Sequence, residues 1–189
     1  DETTIAENGG AGVITATISA AHSKKVTIPL TISGTATIDI DYSTAFTSKG
    51  ISTVAGGGET GSGLNQLKVP YGVDVDSSGN IYVADRYNHR IMKWAPDATE
   101  GTVVAGGNGS GSATNQLGSY PLGLTVDSSD NIYVVDSGNH RIMKWAPDAT
   151  EGTVVAGGNG SGSATNQLGS PYGVDVDSSG NIYVADLGN

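Results

Sequence analysis

The pattern of hydrophobic and polar positions changes near residue 46. Before that point, apolar and polar residues alternate with a period of two in three segments, Val13–Ser19, Val26–Ser33 and Ala36–Tyr42. Alternation of this kind, rich in Thr and Ile, predicts β-strands with one buried face. We therefore expect residues 1–45 to form a β-sandwich fragment, followed by a linker at residues 46–50.

Residues 51–189 repeat a unit of 50 or 51 residues, and the 32 residues Asn88–Ser119 recur without a change as Asn139–Ser170. One unit predicts four strands separated by turn residues: Tyr71–Asp76, Ile81–Asp85, Arg90–Ala95 and Thr102–Gly106. The second strand is apolar on both faces, which requires a sheet packed on each side of it. The prediction is an all-β fold, an incomplete β-propeller of about 2.5 four-stranded blades, each buried against the next. The blades are expected at about 69–106, 120–157 and 171–189 (incomplete), after a stray fourth strand at Ile51–Gly56.

Three smaller features complete this prediction. The large apolar residues of the third strands are expected in the core between blades: Met92, Trp94, Met143 and Trp145. The second copy has one extra residue, "GSYPLG" (Gly118–Gly123) against "GSPYG" (Gly169–Gly173), where a loop tolerates it. The loop "GGNGSGSATNQL" lacks the Lys and the helix of a phosphate-binding loop, so it is interpreted as a flexible connection.

Charge and composition exclude several functions. Acidic residues outnumber basic ones by 19 to 9, for a net charge of −10. This balance disfavours nucleic acid and anionic membranes as partners and attracts cations. The chain has no cysteine, which excludes disulfides, thiolate zinc sites and cysteine nucleophiles. The longest apolar stretch, Val26–Ile32, is too short and too broken to cross a bilayer, so no membrane insertion is expected.

The repeated region resembles a known family. The run "PYGVDVDSSGNIYVADLGN" (Pro171–Asn189), with Asn88-His89-Arg90 and Asn139-His140-Arg141 in the earlier copies, resembles the NHL repeat over about residues 51–189. That resemblance implies a β-propeller, commonly of six blades, so this chain would hold only part of a ring. Members of the NHL group include metal-dependent enzymes that place His on propeller strands.

The first region resembles the Calx-beta module, a calcium-binding β-sandwich of exchangers and bacterial surface proteins. The residues that carry this resemblance are "IAENGGAGVITATIS" (Ile5–Ser19) and "SGTATIDIDYS" (Ser33–Ser43). It implies calcium as a bound ion, with Glu7, Asp39 and Asp41 as candidate ligands, because carboxylates suit a hard cation. It also implies an extracellular or cell-surface location.

Two further motifs admit a metal and a structural interpretation. In "DVDSSGNIYVAD" (Asp74–Asp85), acidic and small residues match part of a calcium-loop pattern, but a β-hairpin turn capped by Asp and Gly explains them better. His89 and His140 could bind a metal, whereas a charge-assisted bond between Asp85 and Arg90 is the preferred explanation of the turn that contains them.

The copies differ at one turn. Where the first copy has Arg86-Tyr87, the second has Ser137-Gly138 and the third Leu187-Gly188. In an up-and-down blade this turn lies at the same end as the long Gly-rich loop. A fixed frame with a variable tip predicts recognition there, with Arg86, Tyr87, Ser137 and Gly138 as binding residues.

The sequence leaves two classes of function open. The first is a non-enzymatic, secreted or cell-surface module that binds a protein or a glycan. The second is a metal-dependent propeller enzyme of lyase or lactonase type, whose active site needs further blades. Open strands at the ends of the blade array also predict self-association.

Overall fold

The computed structural model describes residues 52–189, which lie in the second of the two units into which the chain divides, Asp1–Ser48 and Lys49–Asn189. Strands and two 3-10 turns are the regular elements of this part of the chain. No helix in these residues is long and apolar enough to span a membrane. The β-sandwich at 1–45, the linker at 46–50 and the calcium candidates Glu7, Asp39 and Asp41 lie outside the described residues and stay predictions.

Within residues 52–189, ten strands form three antiparallel sheets, each following chain order. The strands are β1 Pro70–Val75, β2 Ile81–Asp85, β3 Arg90–Trp94, β4 Thr102–Gly106, β5 Pro121–Val126, β6 Ile132–Asp136, β7 Arg141–Trp145, β8 Thr153–Gly157, β9 Pro171–Val176 and β10 Ile182–Asp186. We call β1–β4 blade 1, β5–β8 blade 2 and β9–β10 blade 3. The 3-10 turns Arg86–Asn88 and Ser137–Asn139 join the second and third strands of blades 1 and 2. The predicted all-β architecture of four-stranded blades is therefore confirmed.

An aspartate builds the turn between the first two strands of each blade. In blade 1, one oxygen of Asp76 accepts hydrogen bonds from the backbone N–H groups of Ser78 and Asn80, both at 2.9 Å. The other oxygen accepts from the Asn80 amide at 2.7 Å and the Tyr82 hydroxyl at 3.0 Å. Burial alone would raise the pKa of Asp76, but these hydrogen bonds outweigh it and hold the pKa below its ordinary value.

The blades bury their faces against one another. One core cluster joins the face of blade 1 that carries Tyr82 and Ile91 to the face of blade 2 that carries Met143 and Trp145. A second joins the other face of blade 2 to blade 3. In a third cluster, Met92 and Trp94 pack with Val83, with Ala55 and Leu67 against them. The four large third-strand residues are thus in the core, as predicted from their alternation.

The first strands of the blades lie side by side, with β1 against β5 and β5 against β9. Their backbones meet at glycine: a Cβ atom at Gly123 would lie 3.1 Å from the Cα atom of Gly173. Gly72 meets Gly123 in the same way, at 3.1 Å. A side chain at these two positions would hold neighbouring blades apart, which explains the Gly two residues after Pro70 and after Pro121.

The predicted strand Ile51–Gly56 is wrong over its described residues, since 52–56 adopt no strand. In blades 1 and 2 the fourth strand is paired with the third strand of its own blade. Among residues 52–189, no third strand precedes this segment, so it has no ladder to join. It still contributes Ala55 to the cover over Trp94.

Candidate functional site

A buried ion pair organises each complete blade at the turn that varies between copies. The Asp85 side chain is fully buried, and its Oδ2 atom lies 2.7 Å from Nε of Arg90. The terminal nitrogens of Arg90 donate to the carbonyl oxygens of Ser62 and Gly63, both at 2.9 Å. Asp136 and Arg141 repeat this pair in blade 2 at the same distance. The predicted charge-assisted bond is confirmed, and every charge in it is compensated, as burial requires.

The Asn and His of the repeated triplet are also structural. Asn88 donates to Oδ2 of Asp85 and to the carbonyl oxygen of Gly61, both at 2.8 Å. His89 adopts a left-handed backbone conformation with φ of 53°. Its Nδ1–H donates to the carbonyl oxygen of Gly118, 2.9 Å away, in the loop that leads to the next blade. In the next copy, Nδ1 of His140 lies 2.7 Å from the carbonyl oxygen of Gly169 in the same way.

These contacts correct the interpretation of the Gly-rich loop as a flexible connection. In the second copy, Arg141 donates to the carbonyl oxygen of Ser112 at 2.8 Å, and Asn139 donates to that of Gly111 at 2.8 Å. Leu117, near the end of the loop, is fully buried. Side chains from the third strand and its turn therefore fix the loop, although its composition is that of a flexible linker.

The hairpin interpretation of Asp74–Asp85 is confirmed against the calcium-loop alternative. Asp76 is occupied by the turn donors, and Asp85 is bound to Arg90. Asp74 instead reaches across to the next blade, where its Oδ2 accepts from the backbone N–H of Val126 at 2.8 Å. Among residues 52–189, no three His, Cys, Asp or Glu side chains are grouped so that they could hold a metal ion.

The variable turns and the starts of the first strands share one end of the blades. Register shows this, because Pro70 pairs with Asp85, Pro121 with Asp136, and Pro171 with Asp186. We call this end the recognition face, and define it by the turns that begin at residues 86, 137 and 187 together with residues 71, 120 and 172.

An aromatic and cationic cluster occupies this face. The Cζ atom of Arg86 lies 5.3 Å from the ring centroid of Tyr87 and 4.5 Å from that of Tyr120. Both distances are in the range of a cation–π contact. The rings of Tyr71 and Tyr172 meet edge to face with centroids 5.6 Å apart. The hydroxyl of Tyr172 is close enough to raise the pKa of Tyr71 above its ordinary value. Each of the four tyrosines is between 44% and 49% exposed.

The predicted binding residues divide into two roles. Arg86 and Tyr87 belong to the cluster, whereas Ser137 and Gly138 support the loop that carries Tyr120. The N–H of Ser137 donates to the carbonyl oxygen of Tyr120 at 3.1 Å. A Cβ atom at Gly138 would lie 2.9 Å from the backbone nitrogen of Ser119.

Sequence comparison of the copies missed three of the four tyrosines. Tyr120 is the extra residue of the second copy, interpreted above as a tolerated loop residue. Tyr71 and Tyr172 occupy one repeat position, where the second copy has Leu122, which is buried. The insertion and this Tyr-to-Leu difference are the signals that could have revealed them.

Comparison with known proteins supports the repeat and the fold. The NHL repeat family profile matches residues 67–94 and 119–145, which confirms NHL repeats there. The match begins after the region that resembles Calx-beta, so that resemblance gains no support from it.

The chain is 38% identical over 93 residues to NHL repeat-containing protein 2 of Bos taurus, covering 43% of this chain and 12% of that protein. It is 31% identical over 90 residues to peptidyl-glycine alpha-amidating monooxygenase of Mus musculus, covering 46% and 9%. A crystal structure of a protein of unknown function from Bacteroides thetaiotaomicron superposes with a TM-score of 0.53 at 21% identity, covering 65% of this chain and 36% of that one. The chain thus spans about an eighth or less of these two curated relatives, and the structural likeness supports the propeller-type fold.

Proposed function

We propose that this chain is a non-enzymatic binding module of a secreted or cell-surface protein, and that it binds a protein or a glycan through the recognition face. The observation that carries the proposal is that the buried part of this turn is constant between blades, whereas its exposed residues vary. The buried Asp–Arg pair is the same in blades 1 and 2, and in both its Arg donates to carbonyl oxygens of the preceding Gly-rich loop. The side chains that this frame presents differ from copy to copy.

The chemistry of the cluster suits binding. Tyrosine offers a large contact area with few rotatable bonds and a hydroxyl for hydrogen bonding, so it is enriched where proteins recognise partners. Four half-exposed tyrosines, two of them in contact with Arg86, form such a surface. The 3-10 turn and its buried anchors hold Arg86 and Tyr87 in place, which reduces the entropy lost on binding.

The test is a screen of the full chain against immobilised glycans and peptides, with matched variants. Tyr87→Ser and Tyr172→Ser should each weaken a genuine ligand by about tenfold, as expected when an exposed aromatic contact is removed. Tyr183→Ser is the control, because Tyr183 is also exposed but donates to Asp177 at the opposite end of blade 3. Equal loss in all three variants, or binding that none of them changes, would refute the proposal.

Calcium binding by the first region is a separable part of the proposal, supported by the Calx-beta resemblance. The candidate ligands are Glu7, Asp39 and Asp41. Calorimetric titration of the full chain with calcium should give a heat of binding that Asp41→Asn reduces. A titration without heat, or one that Asp41→Asn leaves unchanged, contradicts this part and leaves the recognition face unaffected.

A second candidate is an enzyme of lyase or lactonase type. One relative, 31% identical over 90 residues, is named as an enzyme, peptidyl-glycine alpha-amidating monooxygenase, which supports enzyme chemistry in general and specifies neither a lyase nor a lactonase. An active site of this type needs catalytic or metal-binding residues beyond those that residues 52–189 bring together. A lactone hydrolysis assay on a longer form of the protein, with and without added divalent metal, separates it from the binding module.

A further inference from the structure

We propose that the terminal nitrogens of Arg86 bind a carboxylate of the ligand, and that the ligand is an otherwise uncharged glycan that carries uronic acid residues. This inference rests on the proposed function and specifies the ligand of the recognition face.

Two departures from the repeat meet in space at this site. Arg86 occurs in the first copy only, and Tyr120 is the single extra residue of the second copy. They are 34 positions apart in the chain, yet the Arg86 Cζ atom lies 4.5 Å from the Tyr120 ring centroid. Both residues lie just outside the 32-residue block that the chain repeats without a change, in the part of the unit where the copies differ.

Neither residue is needed for the blade. Blade 2 forms the same 3-10 turn with Ser137-Gly138, and the following residue has φ of 53° in both blades. The Asp–Arg pair beneath the turn also has the same length in both blades. Folding therefore does not explain why the first copy has Arg86 there.

The charge of Arg86 has no counter-charge among residues 52–189. The two ion pairs of this region belong to Arg90 and Arg141, and the Arg86 side chain makes no hydrogen bond in it. Its Nε atom is buried without a partner among residues 52–189, while Arg86 as a whole is only partly buried. A buried unpaired donor normally costs stability, so a guanidinium kept in this state calls for a functional explanation. The rings of Tyr87 and Tyr120 hold it in position.

A carboxylate is the anion that fits. The guanidinium fork binds a carboxylate or a phosphate through two parallel hydrogen bonds, which a neutral hydroxyl cannot replace. Of the two anions, the carboxylate carries the smaller charge. The net charge of −10 repels a densely charged polyanion at long range. A largely neutral ligand with well-separated carboxylates can bind the Arg86 guanidinium and is not strongly repelled by the net charge of the protein.

The surroundings favour a glycan over a peptide. Peptide hot spots lie in desolvated pockets. Two concavities instead lie beside 52–58 and beside β4, and a third lies at the edge of the recognition face beside Tyr172 and Leu187; Arg86 lines none of the three. Around Arg86 the recognition face is an open platform of half-exposed tyrosine rings. Such rings can pack against the C–H face of a sugar while their hydroxyls bond to its hydroxyls.

The experiment uses the full chain and a panel of uronate oligosaccharides, each with its methyl ester as the uncharged counterpart. At least one acid should bind about tenfold more tightly than its ester. Arg86→Gln should abolish that preference, so that acid and ester bind equally, and an unchanged urea unfolding midpoint shows that the variant is folded. Arg86→Lys should restore part of the preference, and Tyr120→Ala should weaken both forms.

Lys68→Gln is the matched control, because Lys68 is an exposed cation on the same face, whose backbone carbonyl accepts from the N–H of Tyr87. If it reduces acid binding as much as Arg86→Gln does, general attraction replaces the specific contact and the inference fails. Equal binding of acid and ester also overturns it. If peptides bind through the tyrosines and no glycan does, the inference fails and the proposed function stands. If neither class binds, both fail.

Discussion

The glycines at which neighbouring first strands meet provide a sharp test of blade packing. A Cβ atom at Gly123 would lie 2.9 Å from the carbonyl oxygen of Tyr172 and 3.1 Å from the Cα atom of Gly173. Both contacts are with backbone atoms of β9, so only a shift of blade 3 away from blade 2 would relieve them. We therefore expect Gly123→Ala to destabilise the protein.

The magnitude follows from two opposing terms. Forcing an extra methyl group into a packed site costs about 1–3 kcal/mol. Replacing Gly by Ala also restricts the unfolded chain, which stabilises the fold by about 0.4–1 kcal/mol. The expected net loss for Gly123→Ala is about 1–2 kcal/mol of unfolding free energy. At Gly173 the nearest contact of a new Cβ is the Cβ atom of Ala185 at 3.6 Å, an ordinary van der Waals distance. Gly173→Ala therefore retains only the favourable term.

Urea unfolding, followed by the fluorescence of the buried Trp94 and Trp145, measures both variants. The order of stability should be Gly173→Ala at or above the parent protein, and Gly123→Ala below it. Two equal losses would show that alanine is unfavourable in β5 and β9 for local reasons. In that case the side-by-side packing of the first strands is not what requires glycine.

Three other predictions concern the turns and the open edge. Asp130 has a φ of 61°, a left-handed conformation that glycine adopts more easily, and the first copy has Gly79 there with a φ of 82°. Asp130→Gly should therefore raise the free energy of unfolding by up to about 1 kcal/mol. A lower thermal midpoint for the variant would contradict this. Hydrogen bonds lower the pKa of Asp76 in the folded state. The ionised Asp76 side chain therefore stabilises the fold above the ordinary carboxyl pKa, and this stabilisation is lost as the pH falls through the lower pKa of the folded state. Asp76→Asn should therefore flatten the loss of unfolding free energy below about pH 4, and an unchanged slope would refute the assignment. β10 pairs with β9 alone, which leaves one edge of this sheet open. We therefore expect the protein to associate with increasing concentration in sedimentation, and Tyr183→Lys on the exposed face of β10 should reduce this association. A monomer at all concentrations would contradict the prediction.

The sequence predicted the blades well because their determinants are local. The turn residues, the alternation within strands and the apolar second strand all lie within one copy. Each of the four strands predicted for a blade matches an observed one to within a residue at either end. The stray strand at Ile51–Gly56 failed for a non-local reason, since a fourth strand forms only when a third strand is there to pair with it.

The site was predicted in part for the same reason. Comparing copies singled out Arg86 and Tyr87, because a difference between repeats is visible in one dimension. Tyr120 was missed because its role depends on contact with the preceding blade. The Gly-rich loop was misjudged because Arg141 and Asn139, which fix it, lie outside it, so its composition does not reveal them.

One repeated tyrosine shows how far neighbours, rather than local sequence, decide the environment. Tyr82, Tyr133 and Tyr183 each donate to the turn aspartate of their own blade, at 3.0, 3.2 and 3.1 Å. Their exposures are nevertheless 1%, 5% and 58%, because blade 3 has no further blade against its second face among the described residues. Nearest-neighbour stabilisation of this kind leaves blade 3 the least stabilised. Tyr172 of that blade contacts Tyr71 of blade 1 across the recognition face. A ligand that binds both rings would therefore hold blade 3 in place, so binding and the stability of blade 3 should rise together.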